Sequence, residues 1–185
     1  DWYLESECQS NVDDVVNLGF GRVDIVLAVP AAWEDVNSTE DLFRKFIDST
    51  GTQPLRIWTE YLNLAETLIR KYTDLEPSLY SPYSRLHVER RSSSPVAIFH
   101  SFGATESKPP EDGDAIIDNT ETGRTLRANG LKIIDKLLPN STARLLVNRR
   151  SLRNHDKLAT IERIKIALES AAPARRETES VFGHI

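Results

Sequence analysis

Apolar runs of three to seven residues, closed off by turn residues and separated by stretches with helical spacing, leave few folds open to this chain. They are Val23–Val29, Leu55–Trp58, Val96–Phe99, Ala115–Ile117 and Ala143–Val147. Such runs fit strands covered on both faces. Leu131 to Leu138 is ambiguous, and Leu131-Lys132-Ile133-Ile134 reads as the start of a strand. Helices fall between the strands. Ser38 followed by Asp41 resembles a capping box ahead of a helix from Thr39 to Phe46. Thr59 can cap a second helix carrying Leu62, Leu64, Ala65, Leu68 and Ile69. Thr122 or Thr125 opens a short third, which Gly130 can end in the left-handed conformation. A last helix spans Asp156 to Ala171, with Ile161, Ile164, Ala167 and Leu168 on one stripe. Strands alternating with helices predict an α/β fold.

Composition narrows the function classes. The chain has 185 residues, enough to bury roughly 70% of its unfolded surface in one large domain or two small ones. No apolar run approaches the ~20 residues of a membrane span, so no membrane partner is expected. One cysteine, Cys8, excludes an internal disulfide or a Cys-rich zinc site. A net charge of −5 argues against general nucleic-acid binding. No signal-peptide pattern opens the chain, so the expected setting is cytoplasmic. Methionine is absent and position 1 is Asp, which predicts a processed chain or a fragment. Two segments look irregular. Residues 74–95 carry Pro77, Pro82, Pro95 and a serine run, which predicts an exposed insertion. The polar residues after Ala171 predict a mobile tail.

The run from Asp114 to Gly130 carries the most chemistry. An apolar strand ends in a carboxylate, Asp118. A polar turn follows, then Gly123 flanked by threonines, then a helix. Backbone N–H groups converge at such a turn, and a helix start favours negative charge. Gly123 lets a phosphate approach the backbone closely. Thr122 and Thr125 add hydroxyl donors, and Arg124 a charged fork. Asp118 can accept from two ribose hydroxyls while the turn holds a 5′-phosphate. The bland alternative is a capped helix after a buried strand, with Arg124 and Arg127 solvated; local physics leaves both open.

Asp118-Asn-Thr-Glu-Thr-Gly-Arg-Thr-Leu-Arg-Ala-Asn-Gly130 resembles the phosphoribosyl-pyrophosphate (PRPP) motif of the ATP phosphoribosyltransferase family, which catalyses the first step of histidine biosynthesis. Leu18-Gly19-Phe20-Gly21, the strand through Val29-Pro30, the run Leu55 to Asn63, Gly103-Ala104-Thr105-Glu106 and Leu145-Leu146-Val147-Asn148 look like further family segments, in the family's order. The resemblance implies a two-lobed α/β fold like that of type II periplasmic binding proteins. One lobe, residues 24–148, would be complete. The other would be incomplete, made of residues 1–23 and a returning helix, 149–171, before a flexible tail at 172–185.

The implied activity condenses ATP with PRPP, giving phosphoribosyl-ATP and pyrophosphate with Mg²⁺ as cofactor. Asp118 would be catalytic. Glu121, Thr122, Gly123, Arg124, Thr125 and Leu126 would bind PRPP, with Gly103, Ala104, Thr105 and Glu106 as possible cleft residues. A homo-oligomer is implied if the full-length enzyme is present. There are departures. Gly103-Ala104-Thr105-Glu106 replaces the family's Gly-Ser-Val-Glu, and Leu62 its proline. The 74–95 segment has no counterpart in the family pattern. The family's opening Pro-Lys-Gly-Arg segment and C-terminal histidine-sensing domain do not appear. The alternative from another class is a non-catalytic solute-binding or regulatory module on the same fold. Asp118 with Gly123 discriminates, since a solute-binding protein has no reason to carry both.

Other candidates have ordinary readings. Gly103 to Glu106 can begin a helix that Pro109-Pro110 ends, or form a second anion-facing turn. Thr59, with Tyr61 and Asn63, reads as a cap near the cleft. His87, His100, His155 and His184 lack metal-ligand spacing, and no protein-held metal is expected. Cys8 reads as an incidental thiol. Arg85 to Arg91 reads as a solvated basic loop. Of Asp112, Asp114 and Asp118, only Asp118 is well placed for chemistry.

Overall fold

The structure, a computed structural model, describes residues 10–47, 53–80 and 94–182. Along it run β1 (Val12–Asn17), β2 (Val23–Pro30), α1 (Thr39–Ile47), β3 (Leu55–Thr59), α2 (Leu62–Tyr72), β4 (Ser78–Tyr80), β5 (Val96–His100), β6 (Ala115–Thr120), α3 (Arg124–Ala128), β7 (Leu131–Ser141), β8 (Arg144–Asn148), α4 (Arg149–Leu152) and α5 (His155–Phe182). The described residues divide into two compact units, 24–139 and 10–23 with 140–182.

The first unit is built on a six-stranded sheet in the order β4-β5-β3-β6-β2-β7. β4, β5, β3 and β6 run parallel. β2 runs antiparallel to β6 and pairs Asp24 with Thr120 and Val26 with Asp118. Alternate residues of each strand go to opposite faces. Ile25, Leu27, Val29, Leu55, Ile57, Val96, Ile98, Ala115 and Ile117 form one buried face under Leu42 and Phe43 of α1 and Ala65, Leu68 and Ile69 of α2. Val26, Ala28 and Ile116 are buried on the other, against Leu126 and Leu131. Burial of both faces is why these strands read as continuous apolar runs. Because β3, β5 and β6 are parallel, Thr59, His100 and Thr120 all emerge at one edge of the sheet.

The capping box is present: the Asp41 amide donates to Ser38 Oγ at 3.1 Å, and the Asp41 carboxylate accepts the Asn37 amide at 3.1 Å. Thr59 does not cap α2. Its Oγ1 accepts the Tyr61 amide at 2.8 Å, and Tyr61 occupies the cap position without a side-chain bond. The ambiguous segment at Leu131 is strand throughout and extends to Ser141.

The start of the expected insertion is not an exposed loop. Ser78–Tyr80 pairs with β5, Ser78 is buried, and Leu79 packs against the main core. Tyr80 stacks on Phe99 at 4.8 Å between ring centroids, and Phe99 stacks on Trp58 at 5.1 Å. A strand this short between prolines has no period to read. Residues 81–93, with His87 and the Arg85–Arg91 cluster, lie outside the described residues. Leu79→Ala should therefore lower the unfolding free energy by about 2 kcal/mol, measured by urea denaturation. Unchanged stability would show that β4 is only draped on the sheet.

Trp58 also dictates a glycine. Its Nε1 donates to the Asp112 carbonyl at 2.9 Å, and a Cβ on Gly113 would sit 2.5 Å from its Cδ1. Gly113→Ala should cost about 1–3 kcal/mol, because the indole cannot move without breaking that bond. The same urea experiment checks it.

In the second unit β1 and β8 pair antiparallel, Val12 opposite Asn148, with an irregularity between Asp14 and Val16. β1 was not visible in the sequence, because Asp13 and Asp14 interrupt its apolar pattern. Their partners are distant in sequence: Arg144 pairs with Asp14, and Arg149 Nε donates to Asp13 at 2.6 Å. α5 extends beyond the expected Ala171 to Phe182. Ala172 is buried with Val16 and Leu18, which draws the helix on past that point. Cys8 and His184 lie outside the described residues.

Candidate functional site

Asp118 lies near the carboxyl end of β6, on the edge where β3 and β5 also end. Burial above all, with Glu106 and Glu60 adding to it, raises its carboxyl to about 6, while the Asn119 amide, which donates to it at 2.7 Å, acts the other way. A half-buried carboxylate facing two others is costly alone and is relieved by ligands that bring hydroxyl donors or positive charge. Asn119 turns outward and donates from Nδ2 to Tyr61 Oη at 2.8 Å. That phenol is itself raised, mainly by burial.

The turn after β6 is held from inside. Thr120 Oγ1 accepts the Gly123 amide at 2.8 Å, and Thr122 Oγ1 the Arg124 amide at 3.4 Å. Gly123 caps α3 with φ of 71°, in the left-handed region that favours glycine. Asp118 sits in β6, Glu121 to Gly123 form the turn after it, and Arg124 and Thr125 open α3; Gly123 is buried, while Glu121, Thr122, Arg124 and Thr125 are exposed. Leu126 is different. Its side chain is buried with Val26, Ala28 and Ile116, so only its backbone can face a ligand. α3 has five residues, too few for a long helix dipole, and the Gly123 and Arg124 amides at its start are already taken by threonine hydroxyls.

Across the edge, the loop after β5 carries the other expected residues. Gly103 and Ala104 both take positive φ, 85° and 52°. Thr105 is buried, and its hydroxyl donates to Ser101 Oγ at 3.0 Å, so it builds the loop rather than facing outward. Glu106 opens partly to solvent and is close enough to act on Asp118. Sequence reasoning missed two groups here. Glu60 accepts the Gly103 amide at 2.6 Å, a contact between distant segments that no spacing signals. Thr120 stands three residues before the amide it accepts, and that spacing was legible.

Of the remaining candidates, His100 ends β5 at the same edge and feels Glu60, and the others lie elsewhere. Asp114 makes a two-toothed ion pair with Arg56 at 3.0 Å and also accepts the Arg56 amide, joining the starts of β3 and β6. His100 packs on Phe102 at 4.1 Å between ring centroids, and burial lowers its titration. His155 is exposed. Among the described residues, no three His, Cys, Asp or Glu side chains could together hold a metal ion. No helix among them is long and apolar enough to cross a membrane.

The fold class is an α/β arrangement of the type II periplasmic binding-protein kind, carrying a carboxylate and a glycine turn at the end of a parallel strand. It resembles a structure described as the ATP phosphoribosyl transferase (HisG:HisZ) complex from Thermotoga maritima, with TM-score 0.58, 20% identity, and coverage of 86% of this chain and 63% of that one. It also resembles an ancestral arginine-binding protein bound to glutamine, with TM-score 0.54, 14% identity, and coverage of 98% and 68%. These likenesses concern the fold. Residues 1–170 match the family described as HisG: ATP phosphoribosyltransferase, and the chain belongs to that family. An ATP phosphoribosyltransferase from Koribacter versatilis is 46% identical over 182 residues, covering 95% of this chain and 50% of the relative. One from Methanocaldococcus jannaschii is 32% identical over 171 residues, covering 92% and 49%. The chain thus spans about half the length of these relatives.

Proposed function

We propose that the protein to which this chain belongs is an ATP phosphoribosyltransferase, joining N1 of the ATP adenine to C1 of PRPP in the first step of histidine biosynthesis. The observation that carries this reading is Asp118 and the Gly123 turn, side by side at the end of β6 inside the family match. The adenine nitrogen brings its own lone pair. It forms the N–C bond as the C1–O electrons leave with pyrophosphate, so no Ser, Cys or His nucleophile is required. The protein's work is to hold two polyanions in line and favour the charge that develops on the ribose.

Asp118 accepts the ribose hydroxyls. The turn from Glu121 to Thr125 holds the 5′-phosphate through the Thr122 and Thr125 hydroxyls, the Arg124 guanidinium and those amides that Thr120 and Thr122 do not already take. Glu106 and the Gly103–Ala104 loop face the same ribose. When bound, Mg²⁺ would neutralise charge on the pyrophosphate. Among the described residues no group of acidic or histidine side chains would hold it, so this reading assigns it no protein ligands. The reading also places the enzyme in the cytoplasm, where ATP and PRPP are used, as a homo-oligomer. The solute-binding alternative has support from fold alone, and fold does not assign function.

The test is formation of phosphoribosyl-ATP by the full natural protein with ATP, PRPP and Mg²⁺, alongside calorimetry of PRPP binding. Turnover that requires all three supports the reading. PRPP binding without turnover at any protein concentration would favour a regulatory relative, and no PRPP binding would overturn the site.

A further inference from the structure

Glu60 lies within the Leu55–Asn63 run but was given no role of its own, and among the described residues its side chain ties the end of β3 to the loop after β5. Its Oε1 accepts the Gly103 amide at 2.6 Å, across 43 residues of sequence. That loop is otherwise shaped from within. The Thr59 carbonyl accepts the Ser101 amide at its start, Ser101 Oγ donates to the Gly103 carbonyl at 3.3 Å, and Ser107 closes back on Ala104. These bonds give the loop its form but leave its outer bend, Gly103–Ala104, without another described tether. Ser101 and Thr105 on either side of the bend are buried, but a Cβ on Gly103 would meet nothing within 4 Å, so the tip of the bend stands clear of packing. Two consecutive residues at positive φ need something to hold them.

We propose that Glu60 is a positioning residue: through the Gly103 amide it holds the Gly103–Glu106 loop at the site edge, so that Glu106 faces Asp118. This rests on the proposed PRPP site, since the loop and Asp118 would share the ribose. The charge of Glu60 has a second consequence. The groups acting on Asp118 are Glu60 from the end of β3, Glu106 from the loop and the Asn119 amide beside it. The neighbouring Tyr61 phenol feels both Asp118 and Glu60. Removing the Glu60 charge therefore lowers the Asp118 midpoint, while burial and Glu106 keep it above the ordinary value.

Two variants separate position from charge. Glu60→Gln keeps a carbonyl oxygen that can accept the Gly103 N–H, and Glu60→Ala removes it. In the full enzyme, Glu60→Ala should raise the PRPP KM about tenfold with a smaller change in kcat, while Glu60→Gln stays within about threefold of the parent. Amide NMR should show the Gly103 proton shifted and unprotected in Glu60→Ala and protected in Glu60→Gln. Carboxyl titration should show the Asp118 midpoint lowered in both. Equal KM losses in both variants, with the Gly103 amide protected in the Gln variant, would mean that Glu60 touches substrate directly and would overturn the positioning role. An unchanged Gly103 amide in the Ala variant would overturn it too. If the parent enzyme binds no PRPP, the site reading fails instead, and the Gly103 amide still decides whether Glu60 holds the loop.

Discussion

Gly123→Val should abolish measurable PRPP binding and also lower the thermal midpoint. The sequence suggested only the first effect, from a side chain meeting the phosphate. The structure adds two reasons internal to the protein. Gly123 has φ of 71°, which costs an ordinary residue about 1–2 kcal/mol and a β-branched one more. A Cβ there would also lie 2.9 Å from the Arg127 guanidinium and 3.3 Å from Ile133 Cδ1. The guanidinium end can swing away, but Ile133 is packed beside α3 and gives less. Gly123→Asn serves as the companion variant, because asparagine tolerates the left-handed region while still placing a side chain at the turn. It should keep most of the stability and still lose PRPP. Calorimetry of the full enzyme and thermal unfolding read the two effects separately. Wild-type PRPP affinity in the valine variant would show that the phosphate does not sit on this turn.

What could be read in advance followed from how local each signal was. Strands β2, β3, β5, β6 and β8 are dense apolar runs, and the Ser38–Asp41 cap is a contact within one turn. Both are encoded by neighbours in sequence. β1 was illegible because its two aspartates make sense only beside Arg144 and Arg149. β4 was illegible because three residues carry no period, and its stability comes from Phe99 and the core. The same distinction runs through the site. Asp118 and the Gly123 turn are contiguous and were visible. Glu60, Asn119 with Tyr61, and the inward turns of Leu126 and Thr105 depend on which strands lie side by side, and no spacing carries that.

Asp118→Asn should weaken PRPP binding while making the folded protein more stable at neutral pH. The binding loss comes from charge. Charge-assisted hydrogen bonds contribute about 1.5–3 kcal/mol, so roughly a tenfold to hundredfold loss is expected for PRPP, with inorganic phosphate nearly unaffected. The stability gain comes from the raised titration of the carboxyl, about 6 in the folded protein against an ordinary 3.8. A raised folded value means that the folded state binds a proton more tightly than the unfolded one. Between 3.8 and about 6 the folded protein therefore loses relative stability as pH rises, and above that window the cost of the buried carboxylate is fully present. An amide never ionises, so the variant escapes the cost. Its thermal midpoint should exceed the parent's at pH 8, and the difference should shrink as pH falls through 6 toward 4. The parent itself should bind PRPP more weakly below about pH 6, as the acceptor is protonated. Thermal unfolding across pH, with PRPP and phosphate calorimetry, reads all of this. Equal losses for PRPP and phosphate would point to a collapsed turn, and a lower midpoint at pH 8 would mean that the carboxylate is structurally paired rather than held at a cost.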